Sequence, residues 1–330
     1  MAVTLKDVAE RAGVSRSAVS RTYTQGASVS DKTRTKVEQA AAELGYSPNV
    51  LASSLTTGRT KLIGLVSDNF HNPIFLEVFD LFTKRLQDRG LRPLLVNLSQ
   101  ETDPAASVRM LQQYSVDAAI VASSTLPVSF AQSFHDAGVS VVHSFGRHTP
   151  HPSVHIVGID NIAAGRLAAH TLIDRGYRNV AMMAGPISAT STQDRHAGFM
   201  DVMRVHPEIE VSVSFADAYS FDAGRIEMTR LLSARRAEAY FCGDDVLSIG
   251  ALSAAQAAGL SVPDDLGLLG LNDMEMARWG NINLTTIRNP IAEIAEASVE
   301  LVSSLLSDPA SRPEARLFEC VLVDRGTLRQ

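Results

Sequence analysis

Leu5-Lys-Asp-Val-Ala-Glu-Arg-Ala-Gly-Val-Ser-Arg-Ser-Ala-Val-Ser-Arg21 decides how the N-terminus folds. Ala9, Gly13 and Val19 stand at the spacing two short crossing helices require. Ala9 permits close approach, Gly13 permits a left-handed turn residue, and Val19 plugs the second helix into the first. Ser15 is placed to cap the second helix. The cap leaves Arg16, Ser17 and Arg21 on its outward face, as in a helix that reads DNA. Arginine pairs with guanine in bidentate fashion in the major groove, and serine contacts bases or phosphates less selectively. Ser15, Ser20 and Thr33 are the expected phosphate contacts. Thr4 and Asp7 form an N-terminal cap for the first helix. A third helix is expected from residue 30 or 31 to 44, burying Val37, Ala40, Ala41 and Leu44 before Gly45 ends it.

Composition bounds the rest. The 330 residues are too many for one ordinary core, so two or three domains are expected. No apolar run approaches the roughly 18 residues that span a membrane, and the start lacks the layout of a secretory signal. Cys242 and Cys320 have no paired-ligand spacing, so a reducing, cytoplasmic setting is expected. The net charge of −6 is unevenly spread. Residues 1–60 carry eight Lys and Arg against five Asp and Glu, while the remainder carries 22 against 31. A head of about +3 on a body of about −9 suits nucleic acid at one end only.

Residues 46–60 hold Pro48 at a first-turn position, Leu51, Ala52 and Leu55 on one face, and Gly58 as a stop. Two turns of helix do not persist alone in water, because nucleation costs more than they return. Such a segment needs a partner to become ordered. From Lys61 onward apolar strands alternate with amphipathic helices. Strands are expected at 62–67, 94–97, 118–122, 139–143, 154–159, 180–183, 238–242 and 266–271, with a helix over 73–88. This alternation implies parallel sheets covered on both faces, in two similar lobes of five or six strands. A ligand would lie between them, beyond the carboxyl ends of the strands.

The chain resembles the lactose-repressor (LacI/GalR) family of bacterial transcription regulators over essentially its full length. The resemblance rests on Thr4-Leu-Lys-Asp-Val-Ala, Gly13-Val-Ser, Val19-Ser-Arg21, Leu44-Gly-Tyr-Ser-Pro-Asn49, Ala52-Ser-Ser-Leu55 and Gly58-Arg-Thr60 in the head. In the body it rests on Ile63-Gly-Leu-Val, Asn72-Pro-Ile-Phe75, Asp160-Asn161, Ala184-Gly-Pro186, Arg195-His-Ala-Gly-Phe199 and Leu269-Gly-Leu-Asn-Asp273. It implies a helix-turn-helix domain over 1–47, a hinge helix and linker over 48–60, and an α/β effector-binding and dimerisation domain over 61–330. The body's lobes, like those of periplasmic binding proteins, would comprise about 61–159 with 290–318 and about 160–289 with 319–330. Crossovers would fall near Asp160, Pro290 and Glu319. The family implies a homodimer on a pseudo-palindromic operator, with affinity changed by a small metabolite. It also implies that Leu55 wedges into the minor groove, beside Asn49, Ala52 and Ser53. A wedge of this kind unstacks a base step at a cost of a few kcal/mol, offset by the contacts that bending permits.

For the effector, Ile74 and Phe75 follow the Asn72-Pro73 helix start and point toward the inter-lobe space. Arg195 corresponds by resemblance to an arginine that grips ligand oxygens. Asp160, Asp244 and Asn272 lie just after strands, and Phe241 offers a flat face for a ring or a sugar. Phe145 and Trp279 are further lining candidates. Asn272 departs from the aspartate usual in the family, which disfavours an amine-bearing ligand. A sugar or sugar derivative is the expected effector, acting as inducer by default, with co-repression or activation left open. His143, His148, His151 and His155 crowd one stretch, yet two prolines interrupt it and no His-Glu-x-x-His occurs, so neither metal nor cofactor is expected. The reading from another class is an α/β sugar-utilising enzyme. The chain lacks Gly-x-Gly-x-x-Gly after the first strand, a phosphate-binding Gly-Lys loop and a Gly-x-Ser-x-Gly elbow. The C-terminal residues show no leucine heptads, which favours a dimer over a tetramer.

Overall fold

The structure, a computed structural model, describes residues 3–24, 27–47, 58–98 and 104–330. The chain divides into two compact units, Met1–Thr60 and Lys61–Gln330. In the first, α1 (Leu5–Ala12), α2 (Arg16–Tyr23) and α3 (Asp31–Leu44) surround Val8, Ala9, Val19, Val37, Ala40 and Ala41. The caps are those the sequence announced. The Thr4 amide and hydroxyl both donate to the Asp7 carboxylate, at 2.8 and 2.7 Å. Gly13 takes φ +64°, where a side chain would be strained, and its N–H closes onto the last turn of α1. The Ser15 hydroxyl accepts from the Ala18 amide at 3.2 Å, starting α2.

The second unit holds two sheets. In chain order its elements begin with β1 (Leu62–Ser67), α4 (Ile74–Asp88), β2 (Arg92–Asn97), α5 (Pro104–Gln113) and β3 (Ala118–Ala122). Then come α6 (Val128–Asp136), β4 (Ser140–Ser144), β5 (His155–Ile159), α7 (Asn161–Asp174), β6 (Asn179–Ala184), α8 (Thr190–Met203) and β7 (Glu210–Phe215). The remainder comprises α9 (Phe221–Ser233), β8 (Ala239–Cys242), α10 (Asp245–Ala257), β9 (Gly267–Asn272), β10 (Thr286–Arg288), α11 (Ile291–Ser307), β11 (Ala315–Phe318) and β12 (Val321–Val323). The first sheet runs β11-β5-β4-β3-β1-β2 and is parallel throughout. The second runs β12-β10-β9-β8-β6-β7, parallel except for the β10–β12 pair. Central strands such as Ala118–Ala122 and Gly267–Asn272 are buried at every position, as sheets covered on both faces require.

The chain passes between sheets three times: from β5 to α7 and β6, from β10 to α11 and β11, and from β11 to β12. Each lobe is therefore assembled from distant segments, and the first two passages bring Ile159, Asn161, Asn289 and Ile291 to the cavity between lobes. Helices of the second lobe approach one another through glycine. A Cβ built on Gly165 of α7 would lie 2.1 Å from the Arg195 carbonyl oxygen of α8, and one on Gly198 would lie 1.9 Å from that of Ile162. Gly224 and Gly250 do the same for α9 and α10. Four strands escaped the sequence reading: β7, β10, β11 and β12. The first is an edge strand alternating exposed and half-buried residues, and the others have only three or four residues.

Candidate functional site

Within the first unit, Ser15, Arg16, Ser17, Ser20 and Arg21 are all solvent-exposed, and Thr33 is half-buried. The Ser15 and Ser17 hydroxyls lie 2.9 Å apart, and Arg21 Nε donates to the Ser17 carbonyl at 3.3 Å. That contact is long and surface-exposed, so releasing the guanidinium toward a ligand costs little. Arg34, by contrast, donates to the Thr22 carbonyl at 3.1 Å and ties α3 to α2. Asn49, Ala52, Ser53 and Leu55 lie outside the described residues.

In the body, a cavity between the two sheets is lined from both lobes. Ile74, Phe75, Phe145, Arg195, Asp244 and Asn272 come together there, as the sequence proposed. Asn69, Asn161, Tyr219 and Asn289 join them without having been foreseen. Asn69 and Asn161 sit just beyond strands the sequence shows, a position that could have flagged them; Asn289 follows β10, too short to be read, and Tyr219 carries no local signal.

Two expected residues are elsewhere. Asp160 is exposed and spends its carboxylate on capping α7, accepting from the Ala163 amide at 3.0 Å. Phe241 is wholly buried in the second lobe, stacked on Phe199 with ring centroids 5.9 Å apart. Its strand position is right, but its side chain faces the helix layer instead of the crevice. Trp279 is 48 % exposed and does not line the cavity.

Arg195 organises the site. Its guanidinium donates to Asn161 Oδ1 at 2.7 Å, to the Tyr219 hydroxyl at 2.8 Å and to Ser191 Oγ at 3.3 Å, while its Nε has no partner. A buried guanidinium with one donor unused is a strong hydrogen-bonding group held ready. Asp244 is the counterpart across the cavity. Its Oδ2 accepts from Asn72 at 2.8 Å and from Asn272 at 2.9 Å, and its Oδ1 accepts from the Val246 amide at 2.9 Å. The amide at 272 is thus explained: a carboxylate there would oppose the buried charge of Asp244, whereas Asn272 donates to it.

The Asn72–Asp244 bond crosses between lobes, and more bonds do the same. Arg147 of the first lobe pairs with Asp194 of α8 at 2.7 Å, and the Ser124 carbonyl accepts from the Ser191 amide at 3.3 Å. The cavity they leave is about 40 Å³, room for a few waters and not for a sugar. A larger ligand therefore has to displace these bridging bonds.

Burial pushes the Asp244 carboxyl up to about 6, against the stabilising bonds from Val246 and Asn72. Neighbouring Asp245 is raised by the same cause. His143, wholly buried under Gly146 with Nε2 donating to the Ser123 carbonyl at 3.1 Å, is pushed down to about 4 by burial. The signs oppose. The native carboxyls hold protons that the unfolded chain releases above about pH 4, so their contribution is fully present below that pH and lost as pH rises through the folded values. The native imidazole refuses a proton that the unfolded chain takes up below about pH 6.5, so stability falls as pH drops through that window. Relative to the parent, the His143→Gln variant is expected to gain about 2 kcal/mol between pH 7.5 and pH 5. Urea unfolding at both values measures this, and an unchanged difference contradicts it.

Comparison with known proteins agrees with both units. Residues 4–49 match the model of bacterial regulatory proteins of the lacI family, and residues 169–328 match a periplasmic binding protein-like domain. The transcriptional regulator DegA of Bacillus subtilis (strain 168) is 32 % identical over 301 residues, covering 89 % of this chain and 88 % of its own. The transcriptional repressor PurR of Serratia proteamaculans (strain 568) is 33 % identical over 324 residues, covering 96 % and 93 %. This chain belongs to the LacI family.

The structural likeness spans its whole length. The lac repressor dimer bound to operator and the anti-inducer ONPF superposes with TM-score 0.87 at 27 % identity, covering 99 % of each chain. The regulator CelR in complex with cellobiose gives 0.73 at 27 %, covering 98 % of this chain and 99 % of its own. This LacI-family protein is a DNA-binding transcription regulator with a ligand-binding body. Its relatives are regulators and not enzymes. Among the described residues, no helix is long and apolar enough to cross a membrane.

Proposed function

We propose that this LacI-family regulator is a cytoplasmic repressor whose homodimer holds a pseudo-palindromic operator until a sugar or sugar derivative enters the cleft. The observation that carries the reading is the arrangement around Arg195 and Asp244. Arg195, whose Nε has no hydrogen-bond partner, and Asn289, whose Oδ1 has none, line one cavity with Phe75 and Phe145. Hydroxyl groups both donate and accept, so a polyhydroxy ligand with an apolar face satisfies both. Ligand entry competes with the Asn72–Asp244 bond and with the Ser124–Ser191 contact, and so changes how the lobes meet. Coupling of about 1–3 kcal/mol shifts operator occupancy roughly 5–150-fold.

On this reading residues 1–47 are the reading head, 48–60 the hinge and 61–330 the body. Arg16, Ser17 and Arg21 read bases, while Ser15, Ser20 and Thr33 hold phosphates. Asn49, Ala52, Ser53 and Leu55 engage the minor groove when two hinges pair. Operator footprinting of the intact chain, followed by a thermal-shift screen of sugars and sugar acids, tests the whole scheme, since a true ligand raises the melting temperature by mass action. A ligand that stabilises the body but leaves the footprint unchanged would refute the coupling.

Two substitutions test the DNA side. Arg16→Ala is expected to weaken operator binding by about 1–3 kcal/mol and to relax discrimination at one base pair of each half-site. Leu55→Ala is expected to weaken specific binding by a similar amount while leaving non-specific binding unchanged, because the wedge serves only the bent complex. Gel-shift titrations against operator and random duplex separate the two outcomes. Equal losses on both duplexes would remove the wedge.

A further inference from the structure

The first sheet is parallel, so its two ends are chemically different. The carboxyl ends supply Ser124, Phe145 and Ile159 to the cleft. At the opposite end β4 starts at Ser140 and β5 at His155, beside the last turns of α11 and the loop 308–314. A second cavity opens there, of about 260 Å³ and in part open to solvent. Val139, Val141, Val154, Leu305 and Pro313 give its walls apolar surface, and His155, His135, Ser140 and Ser311 add polar groups. His155 is only 5 % exposed, and neither ring nitrogen has a hydrogen-bond partner. The Ser311 backbone is a hydrogen-bonding neighbour of the ring and raises its pKa, but it does not meet full hydrogen-bond geometry at either nitrogen. Buried imidazoles seldom leave both nitrogens unpaired, because each forgoes a bond it makes in water.

The surroundings narrow what satisfies it. Burial lowers the His155 pKa, outweighing the pull of Glu314, and so disfavours the charged ring that an anion would need. Among the described residues, no cluster of three His, Cys, Asp or Glu is placed to hold a metal ion. The lining mixes valine, leucine and proline side chains with a few hydrogen-bonding ones, and the space exceeds the about 150 Å³ of an engineered apolar cavity that binds benzene. We propose that this cavity is a second small-molecule site, taking a small uncharged, largely apolar molecule whose single hydroxyl faces His155. A hydroxyl suits either imidazole tautomer, since it donates to the bare nitrogen or accepts from the protonated one.

The site lies at the end of the lobe where the chain enters the body. The Lys61 amide donates there to Asp117 at 2.8 Å, and its carbonyl accepts from the Arg92 amide at 2.8 Å. An occupant acts on the first lobe without entering the cleft, so the inference stands apart from the identity of the cleft ligand.

The full chain, carbon-13-labelled at histidine, is titrated with phenol, cyclohexanol and benzene while the His155 ring signals are followed. Phenol and cyclohexanol are expected to shift them saturably, binding about five-fold more tightly than benzene. Ser311→Trp, which fills the cavity from its loop, is expected to abolish binding with far-ultraviolet circular dichroism and the urea unfolding midpoint essentially unchanged. His155→Phe, read by benzene and phenol saturation-transfer signals, keeps the cavity and loses the preference for the hydroxyl. Shifts that do not saturate, equal affinity for benzene, or a preference for phenol surviving in His155→Phe would overturn the site.

Discussion

Methionine in place of Arg195 is expected to leave a regulator that binds its operator and no longer answers its ligand. The substitution keeps an unbranched, flexible side chain and removes every donor. Lost with the guanidinium are the free Nε and the bonds to Asn161, Ser191 and Tyr219. A hydrogen bond from a charged group contributes about 1.5–3 kcal/mol, so losing the one free donor should lower ligand affinity roughly 10–150-fold. Arg195 is in the second lobe, and the reading head is a separate unit, so operator affinity should change by less than about three-fold. Calorimetry with the screened ligand and operator titrations in its presence measure the two effects. Arg195→Lys restores the charge without the fork and is expected to recover little. Ligand-driven release of operator persisting in Arg195→Met would remove the arginine from the site.

Gly165→Ala is expected to be among the most damaging single methyl groups in the body. Its Cβ would sit 2.1 Å from the backbone carbonyl oxygen of Arg195, and backbone cannot rotate aside as a side chain does. Helices α7 and α8 must part, at a cost of about 3 kcal/mol or more. Because the obstructed carbonyl belongs to Arg195 itself, parting the helices also displaces the guanidinium that organises the cleft. Urea unfolding measures the first effect and ligand binding the second. Gly280→Ala is the control: its Cβ meets nothing within 4 Å, and the change should stay within about 0.5 kcal/mol. Equal stability of the two variants would mean that α7 and α8 do not rely on close approach.

Much of this protein was legible along the chain because its determinants are local. Capping, a left-handed glycine and the spacing of Ala9, Gly13 and Val19 act within a few residues, and they defined the head before any contact was known. Alternating apolar strands and amphipathic helices likewise imply covered parallel sheets, since a strand buried on both faces needs an unbroken apolar run. Short edge strands such as β12 were not legible, because pairing with β10 and not composition makes them strands.

The cleft shows where local reading stops. Asp160 and Asp244 both follow a strand and both cap the next helix, so their sequence settings are alike. One faces solvent; the other is buried against Asn72, 172 residues away in the other lobe. Phe241 and Tyr219 exchange the roles that composition would give them, the first in the core and the second donating its hydroxyl group to the site. Sequence alone determined the head's helices, the long buried strands and that the head suits DNA. Only the tertiary structure decided which side chains share the cavity, because that follows from three passages between sheets that bring distant strand ends to one place.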